Sequence, residues 1–266
     1  MPQIHPTAIV MPGATLADDV VIGPYCVIGE HVVLGAGVSL KSHVVIDGRT
    51  TIGDATRIFP FASIGHETQD LKYAGEPSSL EIGHDNTIRE HVTINPGTEG
   101  GGMVTRLGNH CLLMVGAHVA HDCQIGDHVI LVNNATLGGH VVIEDYAILG
   151  GLSAVHQFVR IGRHAMIGGM SGVERDVIPY GLVMGDRARL TGLNIIGMQR
   201  RGFSKGEIQG LRSAYQCLFS DDGTFNDRVN EAAGRFAGIG PVDDLIAFIR
   251  ADSSRAICQP KGPNGI

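Results

Sequence analysis

A six-residue repeat of aliphatic side chains runs through most of this 266-residue chain and leaves it few folds to adopt. One run keeps a single phase to the end of the repeat region: Leu107, Leu113, Val119, Ile125, Leu131, Leu137, Ile143, Leu149, Val155, Ile161, Ile167 and Val173. An earlier run also keeps one phase: Val10, Leu16, Ile22, Ile28, Leu34, Leu40, Ile46, Ile52, Ile58 and Ile64. Because one six-residue unit cannot bury its own apolar face, the units must stack, and the repeat predicts a parallel β-helix.

Composition fits this fold and argues against two classes of function. The 38 glycines suit a chain with many tight corners. A net charge of −7 argues against nonspecific nucleic-acid binding. No apolar run approaches the roughly 20 residues that cross a bilayer, and the amino terminus lacks the pattern of a signal peptide. We therefore expect a cytoplasmic protein with no transmembrane segment and no nucleic-acid partner.

The cysteines are predicted to be core residues. Cys26, Cys111 and Cys123 each follow a repeat aliphatic by four places, a slot otherwise filled by small residues such as Ala. No Cys-x-x-Cys pair occurs among the five cysteines. This pattern indicates small buried side chains rather than metal ligands or nucleophiles.

Two segments leave the repeat and are predicted to be loops on the wall of the helix. Residues 65–81 have no six-residue character, and residues 95–106 shift the phase by one position. Long ordered loops on a rigid scaffold are often functional, although an insertion without a role stays an alternative.

Beyond residue 173 the repeat ends. We assign residues 1–185 to the β-helix, with residues 174–190 as a transition, and residues 186–266 to an α-helical C-terminal domain. Helices are expected after the capping box at Ser204 and Glu207, over residues 226–236, and from Pro241. The tail from Arg255 is predicted to be disordered. Residues 184–215 carry six basic against two acidic side chains, which suggests an anionic partner or simply a solvated face.

The candidate chemistry lies at His121 and its neighbours. If three units form one coil of about 18 residues, His121, Gly139 and Gln157 fall in one column, with strands about 4.8 Å apart. An imidazole base beside a flexible backbone N–H donor is what acyl transfer to a hydroxyl requires, since the base removes the proton and the donor stabilises the oxyanion. Asp122 is the candidate to orient the imidazole.

A second column favours an acyl substrate. Gly151 and Gly169 are one coil apart, each preceded by another glycine, and such pairs leave a groove in which an alkyl chain could lie. The alternative is that these glycines only form turns. A zinc site made by His118, His121 and His140 competes with the acyl-transfer hypothesis, although it gives no role to Asp122 or to the glycines.

The motifs resemble the UDP-N-acetylglucosamine O-acyltransferase family, which catalyses the first step of lipid A biosynthesis. The resemblance covers nearly the whole chain and is carried by residues 69–77, 117–123, 133–137, 154–158 and 200–204. It implies a left-handed β-helix, although most parallel crossovers are right-handed. It also implies a homotrimer with active sites between subunits, a 3-hydroxyacyl thioester of acyl carrier protein as donor, the glucosamine 3-hydroxyl of the nucleotide sugar as acceptor, and no metal or cofactor.

The resemblance also implies roles for individual residues. His121 would be the general base with Asp122 behind it, and the Gly139 amide the oxyanion donor. The remaining positions fall into three groups: sugar contacts at Asp70, Lys72, His118, His140 and Gln157; nucleotide contacts at His156 and Arg200; and the acyl groove at Gly151, Met166 and Gly169. The chain departs from the family at the nucleotide pocket, where Arg187, Ile196 and Gln199 replace the expected residues.

Two other functions stay open at this point. An N-acyltransferase acting later in the same pathway shares the repeat, but the loop at residues 69–77 and the basic residues 200 and 201 argue against it. A trimeric zinc enzyme similar to carbonic anhydrase would instead use the clustered histidines as metal ligands.

Overall fold

The computed structural model describes residues 1–260 and shows a three-sided wall of short, stacked strands. Each strand of the repeat region pairs in parallel with the strand one coil away, as Val21 does with Ser39 and Ile130 with Ile148. These partners are 18 residues apart, so the predicted coil of three units is confirmed.

The strands form three sheets. Sheet I has eleven strands: Gln3–Ile4, Val21–Ile22, Ser39–Leu40, Arg57–Ile58, Thr87–Ile88, Leu112–Leu113, Ile130–Leu131, Ile148–Leu149, Met166–Ile167, Gly181–Met184 and Arg189–Leu193. Sheet II has nine: Ile9–Val10, Val27–Ile28, Val45–Ile46, Ser63–Ile64, Thr93–Ile94, His118–Val119, Thr136–Leu137, Ala154–Val155 and Gly172–Val173. Sheet III has eight: Thr15–Leu16, Val33–Leu34, Arg49–Ile52, Ser79–Ile82, Val104–Leu107, Gln124–Ile125, Val142–Ile143 and Arg160–Ile161.

In the two-residue strands the second residue points inward, which explains the aliphatic repeat. Ile28, Ile64 and Leu131 are fully buried, and the inward residues of the coils form one continuous core. Cys26, Cys111 and Cys123 are buried in this core as predicted, and all five cysteines are free. Stacked side chains of this kind stabilise the helix by removing apolar surface from water.

Two-residue corners join the strands, and their second residue usually has a left-handed backbone. This conformation is tolerated best by Gly, Asn, Asp and His, and it explains why so many histidines recur in the same slot. Examples are His43, His91, His110 and His128, with φ between 55° and 59°. His164 occupies such a corner too but is only 8% exposed, because Tyr180 and Phe203 pack against it.

The two loops are present but shorter than predicted. Strands Ser79–Ile82 and Val104–Leu107 begin inside the segments assigned to loops. These strands have four residues instead of two because they pair along their whole length, Ser79 with both Arg49 and Val104. A 3-10 turn, Glu99–Gly101, lies in the second loop.

The C-terminal part contains four helices: α1 (Ile195–Arg200), α2 (Lys205–Leu218), α3 (Phe225–Arg235) and α4 (Gly240–Arg250). The capping box at Ser204 begins α2 as predicted, but α1 was not predicted. The predicted transition contains strand Gly181–Met184, which pairs antiparallel with Arg189–Leu193. The prediction of a disordered tail is wrong for residues 255–260, since Ile257 bridges to Asp176 and Cys258 is buried. The rest of that tail lies outside the described residues.

Within residues 1–260, none of the helices combines the length and the apolar character that a membrane span requires. The division into domains at residues 185 and 186 stays a prediction.

Candidate active site

His121 and Asp122 occupy a corner between sheets II and III. The imidazole Nδ1 lies 2.8 Å from an oxygen of the Asp122 carboxylate, which is itself fully shielded from solvent. The same carboxylate accepts hydrogen bonds from the Thr98 backbone N–H at 2.8 Å and from the Thr98 hydroxyl at 2.6 Å. The carboxylate is therefore fixed, and it selects the tautomer in which Nδ1–H donates and Nε2 is free to accept a proton.

Gly139 lies directly against the His121 ring, one coil away. A Cβ atom placed on Gly139 would be 2.5 Å from both Cε1 and Nε2 of the imidazole, so only glycine leaves room for the ring. The predicted column is also seen in the backbone, where the amide after Gly139, that of His140, donates to the His121 carbonyl at 3.0 Å.

The Gly139 N–H donates to no acceptor among residues 1–260. At another corner of the same wall, the backbone N–H in the equivalent place of the repeat donates to a carboxylate of the next coil. The N–H of Asn109 donates to the Asp127 carboxylate in this way, and the N–H of Asp127 donates to the Asp145 carboxylate. The uncapped donor beside a base is the arrangement that can stabilise an oxyanion.

Two more histidines surround this centre and are held as neutral imidazoles. Burial lowers the pKa of His118, whose Nδ1 lies 2.7 Å from the Thr93 hydroxyl. Burial also lowers the pKa of His140, and the nearby Asp122 carboxylate only partly offsets this effect. The His140 ring stacks on Phe158 with centroids 4.3 Å apart, which fixes its orientation towards the cleft.

The first loop closes one side of the cleft. The Asn95 side chain donates to the backbone carbonyls of His66 and Glu67, and this anchors the start of the loop. Further along, the Asp70 carboxylate accepts from the backbone N–H of Lys72 at 3.0 Å. The loop thus holds one carboxylate and one ammonium group at the cleft.

Together these elements enclose a cleft of about 810 Å³, which is large enough for a sugar. The structure brings into this one cleft six of the site residues predicted from the sequence: Asp70, Lys72, His118, His121, His140 and Gln157.

Met166 and Arg200 line a different cleft of about 800 Å³, between sheet I and α1. Arg201 also lines it, with its guanidinium over the Tyr146 ring at 4.4 Å, and exposed Ile196 forms part of its rim. The two clefts share no lining residue, so one chain does not bring all the predicted site residues together.

Four of the positions named from the sequence line neither cleft and do not touch the His121 ring: Gly151, His156, Gly169 and Arg187. His156 is exposed and accepts a hydrogen bond from Arg255 at 2.9 Å. Gly169 is exposed above Gly151, and a Cβ on Gly169 would be 3.2 Å from the Gly151 carbonyl oxygen. Arg187 forms an ion pair with Glu174 at 3.0 Å.

Sequence reasoning missed the residues that support the carboxylate. Thr98 donates to Asp122 twice, Thr105 accepts from the Asp122 backbone N–H at 2.7 Å, and Gly101 packs so closely on the carboxylate that no side chain fits there. Thr98 and Gly101 lie in the second loop, outside the repeat, so no register predicted their partner. The only sequence signal for this support was the presence of glycine and threonine in an inserted segment.

One metal-capable group of side chains lies in the cleft. His121, Asp122 and His140 each offer a ligand atom, and these atoms lie within 4.8 Å of one another. His118, predicted as a third ligand of a zinc site, is not part of this group and bonds to Thr93 instead.

Family profiles match both parts of the chain. The profile described as bacterial transferase hexapeptide (six repeats) matches residues 1–36, 13–48 and 105–139. The profile described as UDP-N-acetylglucosamine O-acyltransferase, domain 2, matches residues 176–258.

Relatives match over nearly the full length. The chain is 54% identical over 257 residues to acyl-[acyl-carrier-protein]–UDP-N-acetylglucosamine O-acyltransferase of Azorhizobium caulinodans, covering 97% of this chain and 95% of that protein. It is also 54% identical to the enzyme of the same name from Rickettsia canadensis, with 97% of each chain covered. The solved structure of LpxA from Acinetobacter baumannii has a TM-score of 0.90 at 45% identity, covering 96% of this chain and 99% of that one. The predicted left-handed β-helix with a small helical C-terminal part is thereby confirmed.

Proposed function

The chain belongs to the UDP-N-acetylglucosamine O-acyltransferase family, and we infer from this membership and from the cleft that it is an O-acyltransferase. It transfers a 3-hydroxyacyl group from acyl carrier protein to the glucosamine 3-hydroxyl of UDP-N-acetylglucosamine, the first step of lipid A biosynthesis. The observation that best supports the chemistry is the contact between the His121 imidazole and Gly139, with the Asp122 carboxylate hydrogen-bonded to Nδ1 of the ring.

We propose that His121 acts as the general base. Its Nε2 removes the proton of the sugar 3-hydroxyl while the oxygen attacks the thioester carbonyl carbon. The carbonyl oxygen becomes an oxyanion that accepts a hydrogen bond from the Gly139 N–H. When the tetrahedral intermediate collapses, the C–S bond breaks and the imidazolium returns its proton to the leaving thiolate. Asp122 stabilises the imidazolium between these two steps.

The remaining side chains of the His121 cleft are proposed to bind the sugar. Asp70 and Lys72 offer an acceptor and a donor from the loop, and His118 and His140 are neutral, so they can hydrogen-bond hydroxyl or amide groups without adding charge. Gln157 adds a carboxamide at the end of the column.

His156 and Arg200 are proposed for the nucleotide end. Arg200 and its neighbour Arg201 suit a diphosphate, since guanidinium groups bind phosphate oxygens in pairs. Ile196 lines the same cleft and its side chain offers no polar group, so the backbone and neighbouring residues must bind the nucleobase of the substrate there. Gly151, Met166 and Gly169 are proposed for the acyl chain.

We propose that the enzyme is a homotrimer in which the second cleft of one subunit faces the His121 cleft of the next. Two observations support this proposal: the predicted site residues are divided between two clefts of one chain, and the outward positions of sheet I are apolar from strand Leu112–Leu113 to strand Gly181–Met184. These positions are only half-buried in one chain: Leu112, Ile130, Ile148, Met166 and Leu182. An apolar strip of this kind is typical of a subunit interface.

We further propose that the enzyme acts in the cytoplasm. Five free thiols, of which four are buried, fit a reducing compartment.

The function is tested by supplying purified protein with 3-hydroxyacyl carrier protein and two acceptors in separate reactions. We expect acylation of UDP-N-acetylglucosamine at its hydroxyl and no acylation of a 3-O-acylated glucosamine nucleotide that carries a free amine. Transfer to the amine alone would instead assign a later N-acyltransferase.

A mass in solution of three 28.1 kDa chains is expected, and an active monomer would contradict the proposed trimer.

A further inference from the structure

A second group of histidines and a carboxylate lies at a different corner of the wall, between sheets III and I. His84 and Asp85 follow strand Ser79–Ile82, and His110 follows strand Val104–Leu107 one coil away. Each of the three offers one ligand atom, and these atoms lie within 4.8 Å of one another. We propose that His84, Asp85 and His110 bind a divalent transition-metal ion of the zinc class.

The spacing of the three groups suits such an ion. Ligand atoms at about 2.0–2.1 Å from a tetrahedral zinc ion are about 3.3 Å from one another. An Asp85 carboxylate oxygen lies 2.7 Å from Nδ1 of His84 and 4.0 Å from Nδ1 of His110. These distances bracket the required value, so small side-chain rotations bring all three into a coordination shell. Water completes the fourth position, as is usual where a protein supplies three ligands.

Two imidazoles and one carboxylate also define which ion fits. Nitrogen and oxygen donors of this kind suit zinc, cobalt or nickel, whereas magnesium and calcium prefer oxygen ligands alone. The proposed ligand is therefore a borderline-soft cation rather than the counter-ion of a phosphate substrate.

The scaffold holds these side chains in place before a metal arrives. Asp85 and His110 occupy left-handed corner positions with φ of 56° and 55°. The His110 backbone N–H donates to the His84 carbonyl at 3.0 Å, and this ties the two corners together. The His110 ring also stacks on His128 at 4.8 Å. Such pre-organisation lowers the entropy that the ligands lose on binding the ion.

The surroundings attract a cation and leave it access. A cavity of about 420 Å³ lies at this corner, lined by His84 and Asp85 together with Asp54, Asn109 and two glycines. Among residues 1–260 no Lys or Arg pairs with Asp85, whose ionic contacts are the two histidines. The imidazole side chains are about half exposed, at 48% and 44%, so an ion can reach them from solvent.

The site has a structural consequence because of where its residues lie along the chain. The coil with His84 and Asp85 follows the first loop, and the coil with His110 follows the second. A bound ion would clamp these two coils at the corner between sheets III and I, whereas His121 lies at the corner between sheets II and III. The ion would stabilise the coils that carry the loops of the catalytic cleft without entering that cleft.

The test uses the full, untagged chain and titrates it with Zn²⁺ or Co²⁺ by calorimetry near neutral pH, where imidazoles are free to bind metal. We expect His84→Gln and His110→Gln each to weaken binding by at least about tenfold, because losing even an outer partner of a metal ligand costs about 10- to 100-fold. The control is His31→Gln, which removes another exposed histidine that lies beside a carboxylate, Glu30, at 3.3 Å. This control should bind the metal as the wild type does.

A second measurement separates this site from the group in the catalytic cleft. Zn²⁺ should raise the melting temperature of the wild-type protein and of His31→Gln, and should do so much less in His84→Gln and His110→Gln. The two variants should keep wild-type transferase activity, since neither residue lies in the cleft. Unchanged metal affinity and stabilisation in both variants would refute the proposed site.

Discussion

Replacing Gly139 with alanine should disable the enzyme while leaving it folded. The added Cβ would lie 2.5 Å from Cε1 and Nε2 of His121, whereas ordinary contact between carbon atoms needs about 3.5 Å. The ring must therefore move by about 1 Å, away from the amide and against its 2.8 Å hydrogen bond to Asp122. A displacement of about 1 Å in a catalytic group costs about a hundredfold in rate, so we expect kcat to fall by about that factor.

The assay is steady-state transfer of a 3-hydroxyacyl group to UDP-N-acetylglucosamine, combined with thermal unfolding. The melting temperature should change little, because the backbone at Gly139 is not left-handed and the clash is with a side chain that can move. Gly234→Ala, on α3 where a Cβ meets nothing within 4 Å, is the control and should keep full activity. A Gly139→Ala enzyme with wild-type kcat would refute the reasoning that the ring and the glycine form one catalytic unit.

Three further predictions follow from other contacts. Gly101→Ala should lower kcat by at least about tenfold, because the added Cβ overlaps the Asp122 carboxylate that orients the imidazole. In the same turn, a Cβ on Gly100 meets open space, so Gly100→Ala should stay active. Equal kcat values for the two variants would contradict this reasoning. Burial, with two arginines nearby, lowers the pKa of His164 to about 4 in the folded protein. Between pH 6.5 and 4 the unfolded chain therefore binds a proton that the folded protein does not, and the free energy of unfolding falls by about 3 kcal/mol over that range. His164→Phe should lose less stability over that range in denaturant titrations, and an identical loss would exclude this cause. Arg200→Glu should weaken both nucleotide and acyl carrier protein binding in titrations, and unchanged carrier-protein affinity would leave the basic surface without its proposed role.

The sequence predicts the wall well because its stability comes from a local rule. Each inward aliphatic residue packs on its equivalent one coil away, so a strict six-residue register determines strand, corner and core together. The same rule fails where units are lengthened. Ser79 and Val104 extend their strands through pairing with each other, which no single unit encodes. The tail near Ile257 is ordered by a bridge to Asp176, a contact across the chain that composition does not predict.

The residues of the candidate site also fall into those that the repeat predicts and those that it does not. His121 and Gly139 could be paired from their spacing, because the repeat fixes which residues lie one coil apart. Thr98 could not be assigned to Asp122, because it lies in a loop with no register. Position 200 was assigned to the site by resemblance, yet in one chain Arg200 lies in a separate cleft. The proposed trimer would bring the two clefts together through an arrangement of subunits that the repeat does not specify.

The most direct test of the account is the kcat/KM of His121→Ala for transfer of a 3-hydroxyacyl group to UDP-N-acetylglucosamine. A general base contributes about 10²- to 10⁴-fold, so we expect a loss of that size in a protein that keeps the wild-type melting temperature and oligomeric mass. Turnover close to that of the wild type would contradict the assignment of the base, and with it the mechanism built on the contact between residues 121 and 139.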